Sequence, residues 1–375
     1  MKIGITCYPT YGGSGAVATE LGIALAARGH EVHFITYAHP FRLPLLSPRI
    51  FYHEVAIGSY PLFQYPPYDL ALAVRMHEVA SQQRLDLLHV HYAIPHATSA
   101  WLAKQMLHER GVNLPVVTTL HGTDITIVGQ DHSYHAITRF SIDKSDRVTA
   151  VSQHLKEETV RAFGCEQERV QVIPNFVDPT VFAPTASDAA LRQQLGEGRK
   201  VLMHISNMRP VKRITDIVRI FAAVRREIPS VLVMIGDGPD RPAAEEEARR
   251  LDVEGDVRFL GKIDGVAPLI ASADLYVLTT DRESFGLSAL EAQACGVPVL
   301  GYDVGGLPEV VESGVTGHLG AVGDIVGMSR AALDLLGSDS RWRAMSEAAV
   351  SRAVERFATD RVLPLYEALY ADAVR

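Results

Sequence analysis

Short apolar runs alternate with helix-patterned stretches along almost the whole chain, and the alternation stops once and then restarts. In the first half, runs at residues 2–7, 31–36, 87–90, 115–120, 147–151 and 170–173 read as strands, with helical patterns at about 14–28, 96–109 and 153–163. Residues 173–184, Ile-Pro-Asn-Phe-Val-Asp-Pro-Thr-Val-Phe-Ala-Pro, carry three prolines and no periodicity, and read as a linker. Beyond them, strands at 200–205, 231–235, 257–260, 274–278, 298–301 and 316–319 alternate with helices near 212–227, 239–251, 265–272, 285–295, 306–312 and 323–337. Strands that alternate with helices pair in parallel and are covered on both faces. The expected fold is α/β, two doubly wound Rossmann-like domains facing a cleft. The first spans 1–175, the second 176–356, and a C-terminal helix at about 357–375 packs back on the first. A chain of 375 residues exceeds one ordinary core, which fits two domains.

Charge narrows the partners. The net charge of −8 disfavours nucleic acid or an anionic membrane surface as the main partner. No apolar run reaches 18 residues, so no membrane span or stable membrane association is expected. Met1-Lys-Ile-Gly-Ile-Thr6 enters a strand at once, without the apolar region of a signal peptide. Cys7, Cys165 and Cys295 are odd in number and fit no zinc spacing. Cys7 and Cys295 lie in apolar stretches and read as core thiols, which points to a reducing, cytoplasmic setting.

Ligands of open α/β sheets bind outside the carboxyl ends of the strands, so chemistry is sought there. In Glu283-Ser-Phe-Gly-Leu-Ser-Ala-Leu-Glu291 two carboxylates stand eight residues apart across a strand-to-helix turn. Ser284 reads as the N-cap, leaving the amides of Phe285, Gly286 and Leu287 to meet a phosphate. Glu291 lies roughly two turns into the helix, at 3.6 residues per turn, and can point the same way as Glu283. Acceptor-only groups beside an anion-binding helix start suit a nucleotide sugar. Two other readings stand beside this one. Both glutamates can be solvated charges that stabilise the helix start, or they can be a glycosidase pair flanking one bond roughly 5–9 Å apart. The phosphate-like helix start argues against the pair.

Other strand exits carry candidates of the same kind. Gly12-Gly13-Ser14-Gly15 is a turn friendly to anions, or simply tight; it lacks the spacing of a dinucleotide fingerprint. His91, Tyr92 and His96 can face the cleft. His121, followed by Gly122, can hydrogen-bond a sugar hydroxyl, unless Thr123 and Asp124 only build a turn. Arg139 offers a fork to an anion or merely snorkels. In Ser206-Asn-Met-Arg-Pro-Val-Lys-Arg213, three cations crowd one connection of an acidic chain. A diphosphate clamp, with Arg209 as fork and Lys212 as point charge, reads better than a solvated loop. Gly236-Asp-Gly-Pro239 and Gly305-Gly306 are backbone-approach sites or turns, and Lys262 stands where a base could stack. No acidic pair suited to Mg²⁺ on a diphosphate is evident, so no metal and no cofactor are expected.

Together these segments resemble the family-4 retaining glycosyltransferases of the GT-B fold. The resemblance runs the length of the chain. Its most specific part is the Glu283–Glu291 segment followed by Ala294-Cys-Gly-Val-Pro-Val299 and Gly305-Gly-Leu-Pro-Glu-Val-Val311. The opening Cys7–Gly22, with Thr119-Leu-His-Gly-Thr-Asp124 and Ser206–Arg213, is similar more narrowly to the branch that moves N-acetylglucosamine from UDP-GlcNAc to the hydroxyl of L-malate in bacillithiol biosynthesis. That resemblance implies retaining transfer without a metal, in which the leaving UDP oxygen takes the malate proton. It implies catalytic roles for His121, Arg209, Lys212 and Glu283, with His121 contacting the transferred sugar and Glu291 the uridine ribose. The implied donor-binding set is Gly13, Ser14, Asn207, Gly236, Lys262, Ser284, Phe285, Gly286, Leu287 and Glu291. The implied acceptor set is Ser14, Tyr92, Thr119 and Arg139. Many family members place an arginine two positions before Arg209, where this chain has Asn207. Rival readings are a related enzyme with another small anionic acceptor, a UDP-GlcNAc 2-epimerase, and a non-catalytic nucleotide-sugar binder. The sequence leaves open whether the chain is a monomer or a homo-oligomer.

Overall fold

The computed structural model describes residues 1–10, 12–58, 62 and 64–375. The chain divides into two compact units, Met1–Pro174 with Val362–Arg375, and Asn175–Arg361.

The first unit is built on β1 (Lys2–Thr6), α1 (Gly13–Ala27), β2 (Glu31–Thr36), β3 (Ile50–Glu54), α2 (Tyr68–Gln83), β4 (Leu87–His91), α3 (Thr98–His108), β5 (Val116–Leu120), α4 (Thr123–Thr126), α5 (His135–Lys144), β6 (Arg147–Ala150), α6 (Gln153–Phe163) and β7 (Val170–Val172). Its seven strands lie in the order β3-β2-β1-β4-β5-β6-β7, every neighbour parallel. Central β4 and β5 are buried at every position, because helices cover both faces. Edge strand β3 differs. Its Ile-Phe-Tyr-His-Glu is half exposed and never forms an apolar run, so the pattern that marks the other strands is missing there. Helix α2, also absent from the sequence reading, buries Leu72, Ala73, Met76, Val79 and Ala80 along one stripe.

The second unit comprises α7 (Ala189–Gly196), β8 (Lys200–Ile205), α8 (Ile214–Arg225), β9 (Ser230–Ile235), α9 (Arg241–Arg250), β10 (Val257–Gly261), α10 (Ala267–Ala271), β11 (Leu275–Leu278), α11 (Leu287–Ala294), β12 (Val299–Tyr302), α12 (Leu307–Val310), β13 (Gly317–Gly320), α13 (Ile325–Leu336) and α14 (Asp339–Phe357). The six strands run β10-β9-β8-β11-β12-β13, again all parallel. The order reverses direction beside β8 and β11, which marks the switch point where doubly wound sheets bind ligands.

The segment read as a linker is fixed from Asn175 onward as part of the second unit. Phe176, Val177 and Phe182 are buried. The Val177 amide donates to the Phe357 carbonyl (2.9 Å), and the Val177 carbonyl accepts from Thr359 (3.0 Å). Its prolines break periodicity, but its large apolar side chains still find a core. The last helix, α15 (Thr359–Ala373), enters the first unit at Val362. There Tyr366 and Tyr370 are buried, and Glu367 accepts from Arg28 and His30, each at 3.0 Å. Among the described residues no helix is long and apolar enough to cross a membrane.

Candidate active-site residues

In the second unit, the exits of β8 and β11 are stitched into one surface. Thr279 donates its hydroxyl to the Lys212 carbonyl (3.0 Å), Thr280 to that of Val211 (3.1 Å), and the Asp281 amide to Val211 as well (3.0 Å). The same two loops are joined by charge. Lys212 Nζ lies 2.9 Å from Glu283 Oε2, with both side chains largely buried. The sequence reading put Lys212 at the diphosphate and gave Glu283 a catalytic role; here they form an ion pair across 71 residues of chain. The third cation of the cluster has a structural use. Arg213 Nε donates to buried Asp216 (2.8 Å), which also accepts from Tyr302 (3.0 Å). Arg209 and Asn207 remain exposed.

The approach glycines serve this surface directly. Gly305 has φ +59, and a Cβ there would overlap the Glu283 carbonyl oxygen, which accepts from the Gly306 amide at 2.8 Å. Gly236 has φ +109, and a Cβ would overlap the Ser206 carbonyl. Each lets one loop buttress another, so the close approach is between backbones rather than from backbone to ligand.

Helix α11 begins later than the sequence indicates. Gly286, at φ 98 and ψ 51, is the N-cap residue, and no side chain caps the helix. Ser284 is therefore not the cap. The reason lies in Phe285, which is buried with its ring edge-on to Phe357, centroids 5.6 Å apart. Seating that ring demands a left-handed residue next, which glycine supplies. The amides a helix leaves open are those from Leu287 onward. Glu291 is 4% exposed. Burial above all raises the Tyr276 phenol, and the carboxylates of Glu291 and Glu283 raise it further. Lys262 is exposed just beyond edge strand β10.

In the first unit the partly open groups at the exits of β4 and β5 are uncharged, with the buried carboxylate of Asp124 behind them. Tyr92 donates its hydroxyl to Ser14 (2.9 Å), and its ring lies 5.3 Å from that of His121. Burial, then the Asp124 carboxylate, push the Tyr92 phenol up to about 12, so it stays protonated. Gly13 is exposed at the start of α1, beside Ser14. His121 Nε2 lies 2.7 Å from His91 Nδ1. Burial, then His96, push the His121 imidazole down to about 3. His91 and His96 are fully buried, so they line no opening, contrary to their sequence reading. The strand pattern does not distinguish a strand's last buried position from its first open one.

Asp124 is the group the sequence undervalued. One oxygen accepts from the amides of Gly122 (3.0 Å) and His121 (3.3 Å), the other from that of Ala93 (3.0 Å). It is a turn builder, and the turn it builds sets His121. Burial raises its carboxyl to about 6, against those amide bonds. Thr119 is fully buried, its hydroxyl 2.7 Å from both His89 Nε2 and Thr149 Oγ1. It supports the exit rather than lining it. Arg139 lies apart from this group. Its side chain on α5 is 56% exposed, 3.8 Å from Asp143, and no bond joins it to Ser14, Tyr92 or Thr119.

Residues 11–181 match the family described as Glycosyltransferase Family 4, and residues 188–352 that described as Glycosyl transferases group 1. The chain is 48% identical over 376 residues to N-acetyl-alpha-D-glucosaminyl L-malate synthase of Bacillus anthracis, covering 100% of this chain and 98% of that one. It is 29% identical to D-inositol 3-phosphate glycosyltransferase of Nocardia farcinica, covering 91% and 81%. Among solved structures, Anabaena HepE in complex with UDP-glucose aligns with a TM-score of 0.81 at 21% identity, covering 99% and 100% of the two chains. Sucrose-phosphate synthase from Thermosynechococcus elongatus aligns with a TM-score of 0.81 at 21% identity, covering 99% and 98%. With two parallel sheets and these matches, the chain is a glycosyltransferase of the GT-B fold, and it belongs to family 4 and to the branch that includes the Bacillus anthracis synthase.

Proposed function

We propose that this enzyme transfers N-acetylglucosamine from UDP-GlcNAc to the hydroxyl of L-malate with retention at the anomeric carbon, the first step of bacillithiol biosynthesis. The observation that carries this reading is the end-to-end 48% identity to the Bacillus anthracis synthase. The second unit holds the donor. Glu291 accepts from the uridine ribose hydroxyls, while Arg209, Lys212 and the open amides at the start of α11 meet the diphosphate. Glu283 holds the Lys212 ammonium in place before the phosphates arrive. Asn207, Gly236, Lys262, Ser284, Phe285 and Gly286 complete the donor loops. The first unit holds the acceptor through Ser14 and Tyr92, with Thr119 behind them and Arg139 as a more distant cation. His121 contacts the transferred sugar.

In the transfer, the bond from the anomeric carbon to the β-phosphate oxygen breaks and the bond to the malate hydroxyl oxygen forms on the same face. The malate proton passes to the departing phosphate. Catalysis comes from positioning and from stabilising the charge that builds on UDP. The cations at 209 and 212 take the place of a metal in this reading, and the three free thiols favour a reducing cytoplasmic setting.

The test is incubation with UDP-GlcNAc and a panel of hydroxy acids and inositol phosphate, with and without EDTA, read by mass spectrometry. A GlcNAc adduct of malate formed in EDTA supports the reading. Transfer only to another acceptor overturns the malate assignment, and activity restored only by Mg²⁺ or Mn²⁺ overturns the metal-free one.

A further inference from the structure

The imidazole pair at the exits of β4 and β5 has one proton arrangement that leaves no buried N–H stranded. His91 Nδ1 and His121 Nε2 stand 2.7 Å apart, so one donates and the other accepts. His91 Nε2 is buried and has no hydrogen-bond partner among the described residues. Were His91 the acceptor, its own proton would sit on Nε2, a buried donor with nothing to bind. Folded proteins avoid that arrangement more strongly than an unmet acceptor. With His91 as donor through Nδ1, its Nε2 carries only a lone pair. His121 then accepts at Nε2 and bears its own proton on Nδ1, which has no partner among the described residues. Unlike fully buried His91, His121 is partly exposed, so that N–H can meet a ligand.

The surroundings hold both residues in this pose. The His91 carbonyl accepts from His96 Nδ1 at 2.6 Å, and the His89 ring packs against the His91 ring with centroids 4.6 Å apart. The His121 amide is held by Asp124.

We propose that His91 is a positioning residue that locks His121 in its Nδ1–H tautomer, so that His121 meets the transferred sugar as a hydrogen-bond donor. This rests on the reading that His121 contacts that sugar. A protonated Nδ1 binds an oxygen lone pair and cannot take a proton, so His121 is not the base for the acceptor hydroxyl. That leaves the departing phosphate to receive the proton.

The tautomer is read on the unliganded full chain by long-range ¹⁵N–¹H correlation with labelled histidine, before any question of substrate. His121 is expected protonated at Nδ1 and bare at Nε2; a proton on Nε2 overturns the proposal whatever the enzyme transfers. The kinetic arm compares His91→Asn, whose amide can donate from the position of Nδ1, with His91→Leu, which cannot donate. His91→Leu is expected to lower kcat by about tenfold, the worth of one hydrogen bond, with little change in KM for UDP-GlcNAc. His91→Asn is expected to recover most of the loss. Equal losses in the two variants, with both folded, would show a packing role only and overturn the assignment. Should the wild-type chain fail to use UDP-GlcNAc at all, the function reading fails while the tautomer measurement still decides this one.

Discussion

The two units place opposite kinds of chemistry at equivalent points of similar sheets. The strand exits of the second unit carry charge: exposed Arg209, the Lys212–Glu283 pair and buried Glu291. Those of the first carry neutral rings and hydroxyls, His121, Tyr92 and Ser14, with buried His89, His91, His96 and the carboxylate of Asp124 behind them. Charge suits a diphosphate, which must be gripped and then stabilised as it leaves. Neutral donors suit sugar and acceptor hydroxyls, which need orientation more than neutralisation. The same fold thus serves two tasks by what it puts after its strands.

The largest expected consequence of the difference is acid sensitivity concentrated in the first unit. Burial first, with neighbouring imidazoles, pushes His89 and His121 down to about 3; burial pushes His96 down to about 4; His91 lies well below its ordinary 6.5. A base whose folded pKa is depressed stabilises the fold above its unfolded pKa and loses that contribution as pH falls towards the folded value. His89, His96 and His121 therefore each cost about 2 kcal/mol by pH 5, and His91 acts in the same direction. Asp124, raised to about 6, has the opposite sign: its proton stabilises the fold as pH falls below 6, offsetting part of the loss. The second unit has only His204 of this kind among the described residues, pushed down to about 4 mainly by burial. Trp101 and Trp342, one in each unit, allow the two to be followed separately by fluorescence after replacing either with Phe. The Trp101 signal should change between pH 6.5 and 5 before that of Trp342; the reverse order would break the comparison.

Lys212→Ala should lower kcat on the order of 10²-fold, the usual effect of losing one charge-stabilising donor; it also leaves Glu283 without its cation, so the melting temperature should fall as well. An unchanged kcat in a folded variant would refute the role given to the charged unit. Gly305→Ala forces a Cβ onto the Glu283 carbonyl at positive φ. It should destabilise the second unit by about 1–3 kcal/mol and weaken UDP binding through displacement of Glu283, both measurable by denaturant titration and calorimetry. Wild-type UDP affinity in this variant would show that the buttress does not matter to the site. The smallest effect is expected at Arg139, whose guanidinium is screened by solvent. Arg139→Leu should raise KM for malate by about fivefold, near 1 kcal/mol, leaving UDP-GlcNAc binding unchanged. A loss on the donor side instead would move Arg139 out of the acceptor set.

What could be read from sequence follows the same division between pattern and packing. Buried strands such as β4, β8 and β11 announce themselves as apolar runs, and their exits then name His121, Lys212 and Glu283. Strand β3 gives no such sign, because an edge strand with one open face keeps Tyr52, His53 and Glu54 in place of apolar residues. Ser284 looks like a cap until Phe285 is seen to need the core, which moves the cap to Gly286. The pairs that join neighbouring strand exits, His91 with His121 in the first unit and Lys212 with Glu283 in the second, are separated by 30 and 71 residues. No local spacing connects them; only the order of strands in the sheet does. Asp124 was legible as a turn residue, but its bond to Ala93 on the neighbouring exit was not.

The central claim is that the charged unit presents UDP-GlcNAc and the neutral unit presents L-malate for same-face transfer. Proton NMR of the reaction product tests it most directly, since one spectrum reports acceptor, linkage and anomer. The expected product is N-acetylglucosamine α-linked through the malate hydroxyl, appearing together with UDP. A β-linked product, or UDP and free N-acetylglucosamine with malate untouched, would contradict it.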